Sequence, residues 1–217
     1  MLTGDYSFFY ELFYKLIYVI PIALISFPIH EFSHAFVAYK LGDNTAKERG
    51  RLSLNPLKHL DLVGTLCFLV FGFGWAKAVP VGCMSFKNPK RDMMLTSIAG
   101  PASNLILALI AVPLWVISLK YIPIEYFSQF FHMFLYFNVV LAIFNMLPFP
   151  PLDGSRLLLY FFPNSVFQKV MFYERYSFII LIILMLTGIF DRVLGFLTDA
   201  VLTPFILLAR LILNILP

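Results

Sequence analysis

Long apolar stretches separated by short, basic polar segments run through the chain. The first, residues 16–41, is long enough to cross the ~30 Å hydrocarbon core of a bilayer as a helix. Pro28 lies inside it and predicts a kink or a lost backbone hydrogen bond there. A polar loop, 42–61, follows with Lys47, Arg49, Arg51 and Lys58. The next apolar run, 62–73, is too short to span and ends in Gly72-Phe73-Gly74. Basic residues on both of its sides predict a segment that dips into the membrane and returns. Residues 93–119 and 126–147 each read as one crossing, with Lys120 and Glu125 in the turn between them. Residues 148–176 are mixed, and 177–197 reads as a further span interrupted near its end by Asp191-Arg192. The last stretch, 200–217, contains Pro204 and Arg210 and either crosses or lies in the interface. The pattern therefore predicts an all-α polytopic membrane protein with about five to six transmembrane helices. A short membrane-dipping segment or edge-strand element follows the first span.

Composition sharpens this picture. The 217 residues are 60% hydrophobic and 13% charged, with a mean hydropathy of +0.85, outside the range of soluble domains. One membrane domain over residues 1–217 is expected, with a catalytic core of about 16–160 and C-terminal helices over about 177–217. The net charge of +4 marks loops and not a nucleic-acid surface. Of the 16 Lys and Arg, five lie in 40–58, four in 77–91 and three in 156–175. The positive-inside rule makes that face cytoplasmic, and puts the N-terminus and the Lys120 turn outside. A multi-pass protein of the cell (plasma or inner) membrane is expected. Asp5 and Glu11 precede the first lysine, unlike a secretory signal peptide. Cys67 and Cys83 form no CxxC pair and are expected as reduced thiols.

The chemistry is concentrated in His30-Glu31-Phe32-Ser33-His34. Positions i and i+4 share a helix face, so both imidazoles can reach one metal ion. Glu31 stands next to the first of them, where a carboxylate can take a proton from metal-bound water. The alternative is a hydrogen-bonded polar patch, but such residues at bilayer depth need partners or a function. A catalytic zinc needs a third protein ligand, and His59, Asp61, His132, Asp153 and Glu174 are available. His30 lies about 16 Å from the cytoplasmic end of its helix. His132 falls in the outer part of its span, and His59 and Asp61 belong to a basic surface loop. Asp153 is the better candidate. It follows Pro148-Phe149-Pro150-Pro151-Leu152, whose prolines cannot continue a helix. Irregular backbone near membrane depth must be buried or line a watery cavity. The other reading of Asp153 is a helix cap before Ser155-Arg156. Asn104 lies roughly 20 Å into its helix, near the depth of His30. It is either a donor to a substrate carbonyl or oxyanion, or a packing amide beside Gly100, Ala102 and Ser103.

HEFSH in an early span joined to NMLPFPPLDG in a later one resembles the site-2 protease family of intramembrane zinc metalloproteases, in its compact type without a PDZ or CBS domain. The likeness extends to residues 42–47 and 50–56, to Gly74-Trp75-Ala76-Lys77, and to Gly100-Pro101-Ala102-Ser103-Asn104. It implies one zinc per chain held by His30, His34 and Asp153, with Glu31 activating the attacking water. It also implies a transmembrane protein substrate within the lipid bilayer and an active site opening toward the cytoplasm. One departure is that the run continues Ala78-Val79-Pro80-Val81-Gly82, where the family usually has Pro-Val-Pro-Val-Asn. That weakens any transfer of substrate contacts to this loop, although an extended 75–81 segment with a free edge could pair with an unwound substrate. The rival readings are a non-catalytic zinc-binding membrane protein and a zinc transporter.

Overall fold

Helix α1, Ile20–Lys40, is entered through a π-helical turn at Lys15–Val19 and carries Pro28 in its interior. The computed structural model to which these helices belong describes residues 13–71 and 74–217. Residues 1–12, with Asp5 and Glu11, and Gly72-Phe73 of the short apolar run lie outside the described residues. Helix α2, Leu62–Phe71, is about 15 Å long at 1.5 Å per residue. Its return is visible at its two ends: Leu60 and Ala76 form an isolated antiparallel bridge, and Lys77 N–H donates to His59 C=O at 2.8 Å. The chain thus enters and leaves this short helix on the same side, the return expected of the short run. The edge element is extended backbone with this single bridge, and the described residues contain no strand.

Helix α3, Pro89–Tyr121, is the axis of the bundle. It packs against α1, against α4 (Glu125–Met146), against the short α5 (Asp153–Leu159) and against α7 (Ile189–Ile215). Ala108, Ala111, Val112 and Val116 of α3 are buried with Ile22 of α1, Leu135 and Val139 of α4 and Ala209 of α7. Small residues at such contacts let helices approach closely where lipid offers no hydrophobic drive to associate. The opposite faces carry Ile106, Leu109 and Ile110 of α3 and Phe196 and Leu207 of α7, all at least half exposed, which is the pattern of surfaces turned to lipid.

Four helices are long and apolar enough to cross a membrane: Leu16–Lys40, Pro89–Tyr121, Glu125–Met146 and Phe190–Ile215. This all-α polytopic architecture agrees with the sequence pattern, but the count among the described residues is four and not five or six. The difference lies at the C-terminal end. Residues 177–186 are the second half of α6, Asn164–Leu186, whose first part includes Lys169 and Arg175. The chain then turns at Thr187–Gly188, with Gly188 at φ 69°, a left-handed conformation that glycine adopts without a Cβ clash. Asp191 belongs to the first turn of α7, where a carboxylate is favoured by the helix dipole, so Asp191-Arg192 marks a start and not an interruption. Pro204 is accommodated inside α7. The end of α7 reaches the α3–α4 turn, where Lys120 Nζ donates to Leu216 C=O at 2.7 Å.

Gly188 and Gly195 provide a paired test, because a Cβ on either meets no atom within 4 Å. Gly188→Ala should destabilise the detergent-solubilised protein by about 1 kcal/mol through its positive φ alone. Gly195→Ala, inside a helix, should leave it equal or slightly more stable. Thermal unfolding of the two variants side by side measures the difference.

Candidate active site

The i, i+4 spacing of α1 places the rings of His30 and His34 4.6 Å apart, centroid to centroid. Both residues are buried, at 4% and 8% exposure. On the facing side of α3, Thr96, Gly100 and Asn104 repeat at the same interval and form a matching row. His34 Nδ1 lies 2.7 Å from the main-chain carbonyl of Thr96. A carbonyl only accepts, so Nδ1 carries a proton, and in the neutral ring that binds a metal the lone pair is on Nε2. The tautomer of His30 follows from a longer chain. Phe134 C=O accepts from Asn138 Nδ2 at 2.8 Å, which turns Asn138 Oδ1 toward Asn104 Nδ2 at 2.9 Å. Asn104 Oδ1 then faces His30 Nδ1 at 2.5 Å, so a neutral His30 ring also offers its lone pair at Nε2. One main-chain carbonyl thus sets the polarity of the Asn138–Asn104–His30 chain.

Gly100 completes the contact. A Cβ there would lie 2.3 Å from His34 Nε2 and 2.6 Å from His30 Nε2, so only a glycine lets α3 approach the pair this closely. Asp153 is brought in from the other side by the first residue of α5, after the turns and bends of residues 147–152. Gly154 makes that entry possible, since a Cβ on it would fall 2.1 Å from Met146 O. The N-cap position of α5 is Leu152 and Asp153 is already the first helical residue, so it does not stand where a capping side chain would. Its Oδ2 lies 3.3 Å from His30 Nε2 and 3.1 Å from His34 Nε2, while the two Nε2 atoms are 3.0 Å apart.

Three lone-pair-bearing atoms therefore face one another, and Asp153 Oδ2 is buried with no hydrogen-bond donor. Such a group is mutually repulsive unless a cation sits between its members. The separations are close to the edge of a tetrahedron around zinc, about 3.3 Å for bonds of about 2.0–2.1 Å. The set could hold one metal ion, and two imidazoles with one carboxylate fit Zn2+ with a coordination position left for another ligand.

Glu31 is on the adjacent face of α1, where its Oε2 accepts from Val79 N–H at 2.7 Å. It lines, with His30, an apolar cavity of about 610 Å3 whose other walls include Phe137, Leu141, Leu181 and Phe190. Asn104 does not reach that cavity: its side chain is fully buried and both ends of its amide are engaged behind His30. Its contacts are with the His30 ring and the Asn138 amide. Among the other sequence candidates, Asp61 accepts from Gly64 N–H at 2.8 Å at the start of α2. His59 is buried against Ser53 C=O at 2.6 Å, and His132 packs on Trp115 with centroids 4.7 Å apart. The side chain of Glu174 lies outside the described ones. Sequence reasoning missed Thr96 and the steric role of Gly100, although their i, i+4 register with Asn104 was there to be read.

Helical spans, a buried group of two histidines and an aspartate, and an adjoining glutamate define a membrane-embedded metalloenzyme of the zinc-peptidase type. Comparison with known proteins agrees: residues 117–188 match the family described as "Peptidase family M50". The chain is 46% identical over 183 residues to "Putative zinc metalloprotease YwhC" of Bacillus subtilis, covering 82% of this chain and 84% of that protein. It is 32% identical over 184 residues to "Putative zinc metalloprotease Rip2" of Mycolicibacterium smegmatis, covering 81% and 70%. No solved structure matches significantly. The chain belongs to peptidase family M50, the site-2 protease family whose motifs the sequence carries.

Gly100→Ala should lower zinc affinity by at least about 100-fold, at the upper end of what perturbing a ligand's surroundings costs. Metal content after dialysis against a graded chelator reads this directly. Gly195→Ala serves as the control, because its Cβ meets nothing within 4 Å.

Proposed function

We propose that this protein is a zinc-dependent endopeptidase that hydrolyses peptide bonds within or beside transmembrane segments of other membrane proteins. His30, His34 and Asp153 hold the metal. When bound, zinc supplies Lewis acidity that lowers the pKa of water and polarises a carbonyl. Glu31 takes the proton of the attacking water and passes it to the leaving amine, and the Val79 N–H keeps its carboxylate turned to the cavity. Asn104 and Thr96 fix the imidazole tautomers. The observation that carries this reading is that His30 and Glu31 together line one large apolar cavity. Such a cavity suits an apolar stretch of polypeptide better than a small polar molecule.

A substrate helix hides its peptide bonds in its own hydrogen bonds and must unwind to react. The extended segment beside Glu31 offers a place for the unwound chain. Lys77 N–H and Val79 N–H are already committed, to His59 C=O and to Glu31. The alternate residues Ala76 and Ala78 line the cavity, and their N–H groups remain for pairing. Pro80, next in that alternation, has no N–H and ends the edge. The basic loops put this end of the bundle at the cytoplasmic face of the cell membrane, so the site opens inward. A structural zinc is normally closed by four protein ligands, and three converge among the described residues. A transporter needs ionisable groups along a path through the membrane, and the described wall of this cavity has only Asp191 beyond His30 and Glu31.

Glu31→Gln preserves shape and the acceptor for Val79 N–H but removes the base. Zinc content should stay near that of the parent, while cleavage of a reconstituted membrane substrate falls by about 10²–10⁴-fold. Unchanged cleavage in this variant would refute the role of Glu31 and favour a non-catalytic zinc site.

A further inference from the structure

Arg51 belongs to the basic loop after α1, yet it is only 9% exposed. Its Nη2 donates to the carbonyl of Lys77 and lies 3.4 Å from that of Ala78. Among the described residues no carboxylate is paired with it. A buried guanidinium that faces main-chain carbonyls has been placed at a desolvation cost, so its position calls for a reason. The reason is one peptide bond away. The Ala78–Val79 peptide presents its carbonyl toward Arg51 and its N–H to Glu31 Oε2 at 2.7 Å. In a trans peptide these two groups point in opposite directions. The cation, the peptide dipole and the carboxylate are therefore aligned, and each polarises the next.

We propose that Arg51 is a positioning residue for the proteolytic reaction: it clamps the Lys77–Ala78 carbonyls so that the Val79 N–H holds the Glu31 carboxylate in its working orientation. The rest of the frame agrees with this. Lys77 N–H is fixed by His59 C=O at 2.8 Å, and His59 is itself fixed by Ser53 C=O. The loop that begins at Arg51 thus grips both faces of Lys77, leaving Val79 as the first residue whose N–H is aimed at α1. Both carbonyls meet the same nitrogen, Nη2, so a lysine ammonium with its three donors can restore part of the contact. An uncharged side chain of similar length leaves both carbonyls unpaired.

The inference rests on the role given to Glu31, and its test keeps the two separable. Arg51→Met and Arg51→Lys are measured for zinc content and for kcat and KM on a reconstituted membrane substrate, alone and in a Glu31→Asp background. Arg51→Met should lower kcat at least about tenfold with KM within about twofold and zinc content retained, and Arg51→Lys should recover part of the loss. In Glu31→Asp, whose shorter carboxylate no longer meets the Val79 N–H, Arg51→Met should cost less than about threefold more, because the two residues act as one unit. A rise in KM at constant kcat would overturn the proposal and assign Arg51 to the substrate edge. Loss of zinc together with thermal stability, or full additivity of the two substitutions, would overturn it as well. Undiminished cleavage by Glu31→Gln would remove the premise, and the proposal with it.

Discussion

The structure depends on bringing three lone-pair-bearing atoms to within 3.0–3.3 Å of one another inside an apolar bundle. Two imidazole nitrogens and a carboxylate oxygen so placed repel each other and are poorly solvated. A divalent cation between them reverses the sign of that energy. Most of the surrounding packing serves to hold this arrangement in place. Gly100 and Gly154 are positions where a single methyl group would collide, at Gly100 with the two imidazoles and at Gly154 with the backbone of Met146. The row Thr96–Gly100–Asn104 turns one face of α3 into a template for the His30–His34 face of α1. Asn138 on α4 extends the template to a third helix.

The same economy governs the wet side of the site. Segment 74–82 has no sheet to belong to, yet several of its polar groups are held: Lys77 by His59 and Arg51, Val79 by Glu31, and Gly82 by Asp43 Oδ2 at 2.7 Å. Asp43 is itself fully buried and also accepts from Thr45 N–H at 3.0 Å. The loops at this end are therefore a framework and not loose connectors. Irregular backbone can persist close to a bilayer only where its hydrogen bonds are satisfied in this way.

Much of this was legible in the chain. The His30–His34 interval, the apolar context and the proline-rich approach to Asp153 pointed to the metal group before any coordinates, because ligand spacing and helix-breaking chemistry are local properties. The spans beginning near residues 16, 93 and 126 were equally plain. The C-terminal third was misread, because hydropathy cannot separate one long helix containing Asp191, Arg192 and Pro204 from two shorter ones. The signal that decided it was Thr187-Gly188, a helix C-terminus followed by a left-handed glycine. The contacts of Asn104 with His30 and Asn138 could not be read from the sequence, since depth along a helix follows from counting but rotation about its axis depends on the neighbours. Arg51 was unreadable for a similar reason: its partners lie 26 and 27 residues away and are main-chain atoms that leave no mark in the sequence.

The claim that one metal ion is shared by two residues of α1 and one of α5 is tested most directly by the metal itself. Purified protein and its Asp153→Ala variant can be compared for zinc stoichiometry and by X-ray absorption at the zinc edge. The account predicts one zinc per chain in the parent, with two imidazoles and only nitrogen or oxygen neighbours, and weakened or lost zinc in the variant. A full complement of zinc with an unchanged spectrum in Asp153→Ala, or sulfur among the atoms bound to the metal, would contradict it.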